Sequence, residues 1–338
     1  MGQCYFSGSN SGEGFHNYFD GVVPVWDRLT RYFMIKGGPG VGKSTLMKRV
    51  AAKSEEAGEA VERFYCSGDP DSLDAVRLVK RGIVFADATS PHTMDPVFPG
   101  AVEEIVNLGE QIERNRIIKY RDEVEALTKK NKESYRRGYA FLKAAKALEE
   151  ERYREIAGCV DNEKIEKQAR LITDRIGKGE SRQSRRLFLE ALSCKGRVSF
   201  AKEHCEGNRV YRVFGAEKDV VTDLLAAAIG NDRKELFCSP LCPKRVNHML
   251  LREKEVFLTI EPGTDGTLFS AGEFLKKDCH GIALRYGEEA RCLEESAMNC
   301  FKECKQIHDA LEEIYKECVD FSAITERTEA LLDLLWEL

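Results

Sequence analysis

Eight consecutive residues, Gly37-Gly38-Pro39-Gly40-Val41-Gly42-Lys43-Ser44, carry the densest chemical signal in the chain. Four glycines followed by a lysine and a serine, at the spacing G-x-x-x-x-G-K-S, suit the wrapping of a polyphosphate. A backbone bare of side chains approaches the anion closely, and its successive N–H groups turn inward as a nest. A helix that starts where the loop ends adds the positive end of its dipole. In that arrangement Lys43 reaches the β- and γ-phosphates. The Ser44 hydroxyl becomes a ligand of Mg²⁺, whose hard octahedral shell prefers oxygen, and Thr45 is placed for the α-phosphate. The expected ligand is a nucleoside triphosphate, ATP in the first instance, with Mg²⁺.

A metal on a triphosphate needs a second anchor, a carboxylate at the end of a neighbouring strand. The segment RGIVFADATSPH supplies one: Ile83 to Ala86 reads as a short apolar strand with Asp87 at its carboxyl end. Upstream, VERFYCSGDPDSLDAV is another apolar run that ends in a loop bearing Asp69, Asp71 and Asp74. Asp69 is the first candidate for a catalytic acid, with Asp95, Glu103 and Glu104 as alternatives. Asp71 and Ser72 read as caps of a helix from Ser72 to Lys80. His92 either senses the γ-phosphate or is an exposed loop histidine.

These groups need elements to position them. Arg31 to Lys36 reads as a buried strand feeding the loop, and STLMKRVAAKSEEAG places Leu46, Met47, Val50 and Ala51 on one helical face before Gly58 stops it. In this context the loop resembles the Walker A motif of P-loop nucleoside triphosphatases, and the Asp87 strand is similar to a Walker B strand. The resemblance implies an α/β fold: a Rossmann-like parallel sheet with helices on both faces. Many ATPases carry a glutamate directly after this aspartate. Here Ala88 follows, so either catalysis is slow or the water-activating base comes from elsewhere.

The chain also resembles itself. RYFMIKGGPGVGKSTLM aligns without gaps to RVYRVFGAEKDVVTDLL at 209–225, pairing Gly37 with Gly215, Gly42 with Val220, Lys43 with Val221 and Ser44 with Thr222. ERFYCS meets KELFCS, pairing Cys66 with Cys238; GIVFADATSPH meets EVFLTIEPGT; CYFSGSNSGEG meets RLFLEALSCKG. A tandem duplication is expected whose second unit has lost the lysine and the glycine freedom a triphosphate requires. One site should remain, with the second unit packed on the first as a pseudo-dimer and Arg209 or Arg212 donated across the interface.

Residues 101–186 are rich in Glu, Lys, Arg, Ala and Leu, which predicts a long antiparallel helical arm turning near 158–162; a second arm is expected over about 288–338, turning near 320–322. The units are thus 1–186 and 187–338. The stretch 113–186 has 21 basic and 14 acidic residues, whereas 288–338 has 5 basic and 14 acidic. Arms of opposite sign either pack together or offer the basic one to an anionic partner; a protein partner is also compatible with them. The whole chain, with 52 Lys+Arg against 57 Asp+Glu, argues against a general nucleic-acid or anionic-membrane binder. No signal segment or membrane span is expected, which favours the cytoplasm. Twelve scattered cysteines suggest buried thiols rather than a disulfide framework, and neither Cys238/Cys242 nor Cys300/Cys304/His308 supplies four metal ligands.

With both halves in view, the lead YFSGSNSGEGF, followed by KGGPGVGKSTLM, resembles a family of bacterial tandem ATPases. The family supplies no biochemical role. Asn10, Phe15 and Tyr18 either approach the nucleotide base or begin the core. The reading is a Mg-dependent ATPase acting as a nucleotide-driven switch; a small-molecule or nucleotide kinase and a nucleotide-binding scaffold with little turnover are the alternatives.

Overall fold

A computed structural model describes residues 2–176, 184–230 and 233–337. The end of the first expected arm, 177–183, lies outside the described residues. The chain opens with β1 (Gln3–Phe6) and a hairpin of β2 (Gly8–Ser11) and β3 (Gly14–Asn17). Then β4 (Arg31–Lys36) feeds α1 (Lys43–Glu56), followed by β5 (Val61–Tyr65), β6 (Leu73–Leu78), β7 (Ile83–Asp87) and β8 (Glu103–Asn107). A short α2 (Arg114–Ile117) leads into α3 (Arg121–Cys159), and α4 (Asn162–Ile176) turns back. The series repeats as β9 (Arg185–Leu187), β10 (Glu190–Ser193), β11 (Gly196–Ser199), β12 (Arg209–Phe214) and α5 (Lys218–Ala228). It closes with β13 (Glu235–Cys238), β14 (Val246–Leu251), β15 (Val256–Thr259), β16 (Thr267–Ser270), α6 (His280–Lys316) and α7 (Phe321–Glu337).

The protein is α/β and roughly duplicated. One sheet has the order β1-β5-β6-β7-β4-β8 and the other β9-β13-β14-β15-β12-β16, the same topology twice. In each, the loop-bearing strand is parallel to both neighbours, while the strand pairs β5–β6–β7 and β13–β14–β15 are antiparallel. The sheets are therefore mixed, which corrects the expectation of an all-parallel sheet. The cause is local. Residues 72–80, expected as a helix, form β6: Ser72 N donates to the Asp69 carbonyl and Cys66 N to the Ser72 carbonyl, a tight turn that closes a hairpin with β5. Every residue of β6 is buried, so the strand sits in the middle of the sheet, where backbone groups find partners on both sides.

Among the described residues, α-helices cover one face of each sheet, a second correction. On the first sheet, Phe33, Ile35, Val76 and Phe85 pack under Leu46, Met47 and Val50 of α1 and Leu331, Leu332 and Leu335 of α7. The opposite face, with Tyr32, Met34, Phe64 and Val84, joins Leu187, Phe237, Leu250 and Phe257 in a core shared by both halves. Two strands of the halves meet directly, through reciprocal backbone bonds between Phe6 and Phe188 of 2.9 and 3.0 Å. Beside them lies a buried ionic hub: Arg185 donates to Glu62 at 2.8 Å and to Glu235 at 3.3 Å, and Arg77 donates to Glu62 at 2.8 Å. Burial alone would raise the Glu62 pKa, but the two guanidinium groups outweigh it and hold it at about 2.

The arms cross over. At 1.5 Å per residue the 39-residue α3 is about 58 Å long, enough to leave one sheet and reach the other. It runs antiparallel to α6, with Tyr120 beside Glu317 at one end and Arg152 beside Gly287 at the other. Their seam is small and apolar: Leu142, Ala145, Ala297, Phe301 and Cys304. The arms of opposite charge thus pack together, although Arg137–Glu303 is a peripheral pair on a mainly apolar contact. Each return helix then covers the other half: Ile165, Ala169 and Ile172 of α4 pack on Val221 and Leu225 of α5, as α7 packs on α1. Both reversals use a Cys-Val-Asp turn, 159–161 and 318–320, in which Asp161 and Asp320 accept backbone N–H bonds at the start of the return helix.

Three smaller expectations are corrected. The long helical arm begins at Arg121 rather than near 101, because Glu103–Asn107 pairs with β4 as an edge strand. One disulfide, Cys159–Cys279, is present, because an antiparallel bridge between Val160 and Leu275 lays the two segments side by side. In the hairpin register Phe64 and Phe237 occupy equivalent places, each followed by a register shift, so Tyr65 rather than Cys66 corresponds to Cys238.

Candidate functional site

The first glycine loop lies at the carboxyl end of β4, between β7 and β8. Gly40 and Gly42 take φ of 69° and 89°, the left-handed region that a Cβ disfavours. Gly42 is also the residue before α1, and no side chain caps the helix there. The first-turn amides therefore face a site furnished only by backbone. Gly38 has a different reason to be glycine. A Cβ on it would stand 2.8 Å from the Tyr315 ring of α6, and one on Gly40 would stand 3.0 Å from the Glu312 carbonyl. Loop and arm of the opposite half are in close contact. Val41 is buried in the core, which anchors the loop from beneath, while Thr45 is exposed and Pro39 half-buried.

Lys43 folds back over its own loop. Its Nζ donates to the carbonyls of Gly37 at 3.1 Å and Gly38 at 2.8 Å and stands 3.7 Å from Asp87 Oδ2. The ammonium is thus held by neutral acceptors and one carboxylate, all of which it can exchange for phosphate oxygens. Ser44 Oγ accepts the Leu73 N–H at 3.0 Å and keeps a second lone pair. Asp87 Oδ1 accepts from Thr89 N at 2.8 Å and from the Thr89 hydroxyl, which leaves Oδ2 directed at the loop side. A hydroxyl and a carboxylate oxygen are the hard donors that Mg²⁺ takes, so this donor set fits that ion.

The other acids of the sequence reading separate. Asp69 pairs with Lys305 of α6 at 3.4 Å and accepts from Asp71 N and the Ser72 hydroxyl at 3.3 Å, so it is tied to the arm and its own turn. Asp71 pairs with Lys195 at the tip of the β10–β11 hairpin; the expected capping role goes with the helix that is not there. Asp95 is exposed, Glu103 accepts from Phe98 N at 2.7 Å, and Glu104 lies on the edge strand. Arg209 and Arg212 are part of β12 within the second sheet; the cations of the second half that reach the first half here are Lys195 and Lys305, which pair with Asp71 and Asp69 of the β5–β6 turn.

Sequence reading missed a pair. His92 is buried, not exposed, and its Nε2 lies 3.4 Å from Asp74 Oδ2, itself buried. Asp74 precedes Ala75, whose cross-strand partner Ala86 precedes Asp87, so the two carboxylates end neighbouring strands side by side. Burial pulls the His92 pKa down, but Asp74 and Asp87 outweigh it and hold it above its ordinary 6.5, with Lys43 opposing. Phe15 and Phe19 flank the imidazole, each at 5.0 Å between centroids. Asn10 instead donates to the Leu192 carbonyl and accepts from Tyr139, both at 2.9 Å, and Tyr18 donates to the Pro243 carbonyl at 2.7 Å; both serve the junction of the halves.

Among the described residues no cluster of three or more metal-ligating side chains gathers. Burial pushes the Cys242 and Cys304 thiols up to about 12, and Cys238 is buried beside Phe6 and Phe188. No helix is long and apolar enough to cross a membrane among the described residues. No protein-family model, curated protein or solved structure matches this chain.

Proposed function

We propose that this protein binds ATP with Mg²⁺ at the first glycine loop and hydrolyses it at the β–γ bond, with the crossed arms reading the state of the site. The observation that carries the reading is Lys43, held on its own loop carbonyls opposite Asp87 at the mouth of an uncapped helix, an arrangement present in one half and absent from the other. Gly37, Gly38, Gly40 and Gly42 would line the phosphates, Ser44 and Asp87 would hold the metal, and Mg²⁺ would neutralise charge on the β- and γ-phosphate oxygens. The arm is suited to a switch because Tyr315 and Glu312 of α6 rest on the loop and Lys305 pairs with Asp69. The test is thermal stabilisation by Mg-ATP combined with phosphate release in the absence of any added acceptor. Stabilisation with steady release supports the proposal. Release that needs a hydroxyl acceptor would make the protein a kinase, stabilisation without release a scaffold, and no stabilisation at all would end the reading.

A further inference from the structure

Ala88 leaves hydrolysis without a carboxylate directly after Asp87, and no other acid of the 66–72 turn is free to replace it: Asp69 and Asp71 are both committed to lysines. We infer that His92, oriented by Asp74, is the base that accepts the proton of the attacking water; the inference rests on the ATP-hydrolysis reading above. Three observations converge. Asp74 and His92 are 4% and 7% exposed, so the pair is withdrawn from bulk water beside the carboxyl end of the Asp87 strand. His92 Nε2 lies 3.4 Å from Asp74 Oδ2, and both that oxygen and His92 Nδ1 are buried without a hydrogen-bond partner, so the ring with its proton on Nε2, facing the carboxylate, carries a free lone pair on Nδ1. The duplicate half supplies the control. There Asn247 occupies the register position of Asp74, and the strand alignment sets Ile260 against Asp87 and Asp265 against His92. Asn247 simply donates to Glu190 at 2.7 Å. The half that lacks the loop lysine lacks this Asp–His pair; its own buried histidine, His248, stands at the register position of Ala75, 3.6 Å from Glu190 and with Nδ1 tied to the Thr259 hydroxyl at 2.7 Å.

The step balances as follows. The water oxygen forms a bond to the γ-phosphorus, the bond from that phosphorus to the β–γ bridging oxygen breaks, and its electron pair departs with ADP. The water proton moves to His92 Nδ1 while the other ring proton stays on Nε2, facing Asp74, and the imidazolium later releases its extra proton to solvent. The charged groups acting on the ring are Asp74, Asp87 and Lys43; its other neighbours are the Phe15 and Phe19 rings.

The experiment compares the full-length wild type with His92→Gln and the isosteric Asp74→Asn. It reads steady-state phosphate release from ATP, calorimetric binding of a non-hydrolysable ATP analogue with Mg²⁺, and thermal unfolding. In both variants kcat should fall about 10²–10³-fold, while the analogue Kd stays within about threefold. The wild-type rate should decline with acidification through a midpoint above 6.5, and His92→Gln should lack that limb. If His92→Gln does not fold, Asp74→Asn carries the same test. Variants that keep wild-type kcat, or that lose binding and rate together, overturn the inference while leaving the ATP reading intact. Wild type that binds the analogue without releasing phosphate overturns both the base and the hydrolysis. Wild type that binds no nucleotide removes the site itself.

Discussion

After β4 the backbone runs from Gly37 to Gly42 before α1 begins, whereas after β12 it needs only Gly215 to Glu217 before α5 begins. In the gapless alignment Lys218, the first residue of α5, stands where Gly40 stands in the first half, so an extra helical turn fills the space of the second loop. The cations differ in source. The Gly38 carbonyl is held by Lys43 of the same loop; the equivalent Ala216 carbonyl is held at 3.0 Å by Arg152, which arrives on α3 from the first half. Arg152 is also paired with Asp219 and Glu149. A lysine resting on neutral carbonyls can be recruited by an incoming anion, while a guanidinium fixed by two carboxylates is a structural clamp. Glu217, buried and 3.2 Å from His280, adds a fixed negative charge where the first loop has Pro39. The two halves share the frame, and in the second the turn after the strand serves as a joint between halves.

The comparison can be broken most severely at Lys43. Lys43→Ala should lower phosphate release about 10³-fold and abolish the stabilisation that saturating Mg-ATP gives wild type, roughly 2.7 kcal/mol at a hundred times Kd; a thermal shift that survives would refute the loop assignment. Next comes the hub that joins the halves. Arg185→Leu leaves buried Glu62 to Arg77 alone and Glu235 to Arg252 alone, and should cost about 3 kcal/mol in urea unfolding. Because the Glu62 pKa is depressed from 4.5 to about 2, its contribution is complete above 4.5 and fades as the pH falls toward 2. The variant should therefore show a shallower acid-unfolding profile; an unchanged profile would show that the hub does not couple the halves.

A smaller effect separates the loops at one aligned position. Gly40→Ala forces a Cβ into left-handed backbone and should cost about 1–2 kcal/mol, whereas Lys218→Gly, inside the first turn of α5, should cost under about 1 kcal/mol. Equal losses in thermal unfolding would mean that the loops are conformationally alike. The smallest expected effect is none: Val221→Lys should produce no second binding event in calorimetry, because the residue lies in a packed helix rather than a loop. A second event would show that a lysine alone makes the site.

Much of this was legible before any coordinates. The loop, its feeding strand, the Asp87 strand, both arm reversals and the internal repeat follow from local spacing and from aligning the chain with itself. What escaped depends on contacts distant in sequence. Asp74 is one acid among three in an apparent loop; the pairing of β6 with β7, Ala75 opposite Ala86, sets it beside Asp87. The local sequence leaves His92 open between a γ-phosphate sensor and an exposed loop histidine; Phe15 and Phe19, distant in sequence, fold over it and bury it. The 72–80 stretch was misread because two cap-like residues precede an apolar run, a pattern that serves a helix start and a hairpin turn alike.

The residues alone determined that one loop carries amides, lysine and hydroxyl in the order a triphosphate needs, since that order depends only on backbone freedom and spacing along the chain. Tertiary structure decided which half covers which. Long helices can return to their own sheet or cross to the other with similar local propensity, and the choice lies in the packing of α4 on α5 and α7 on α1, contacts between segments far apart in the chain, in the second case across most of its length.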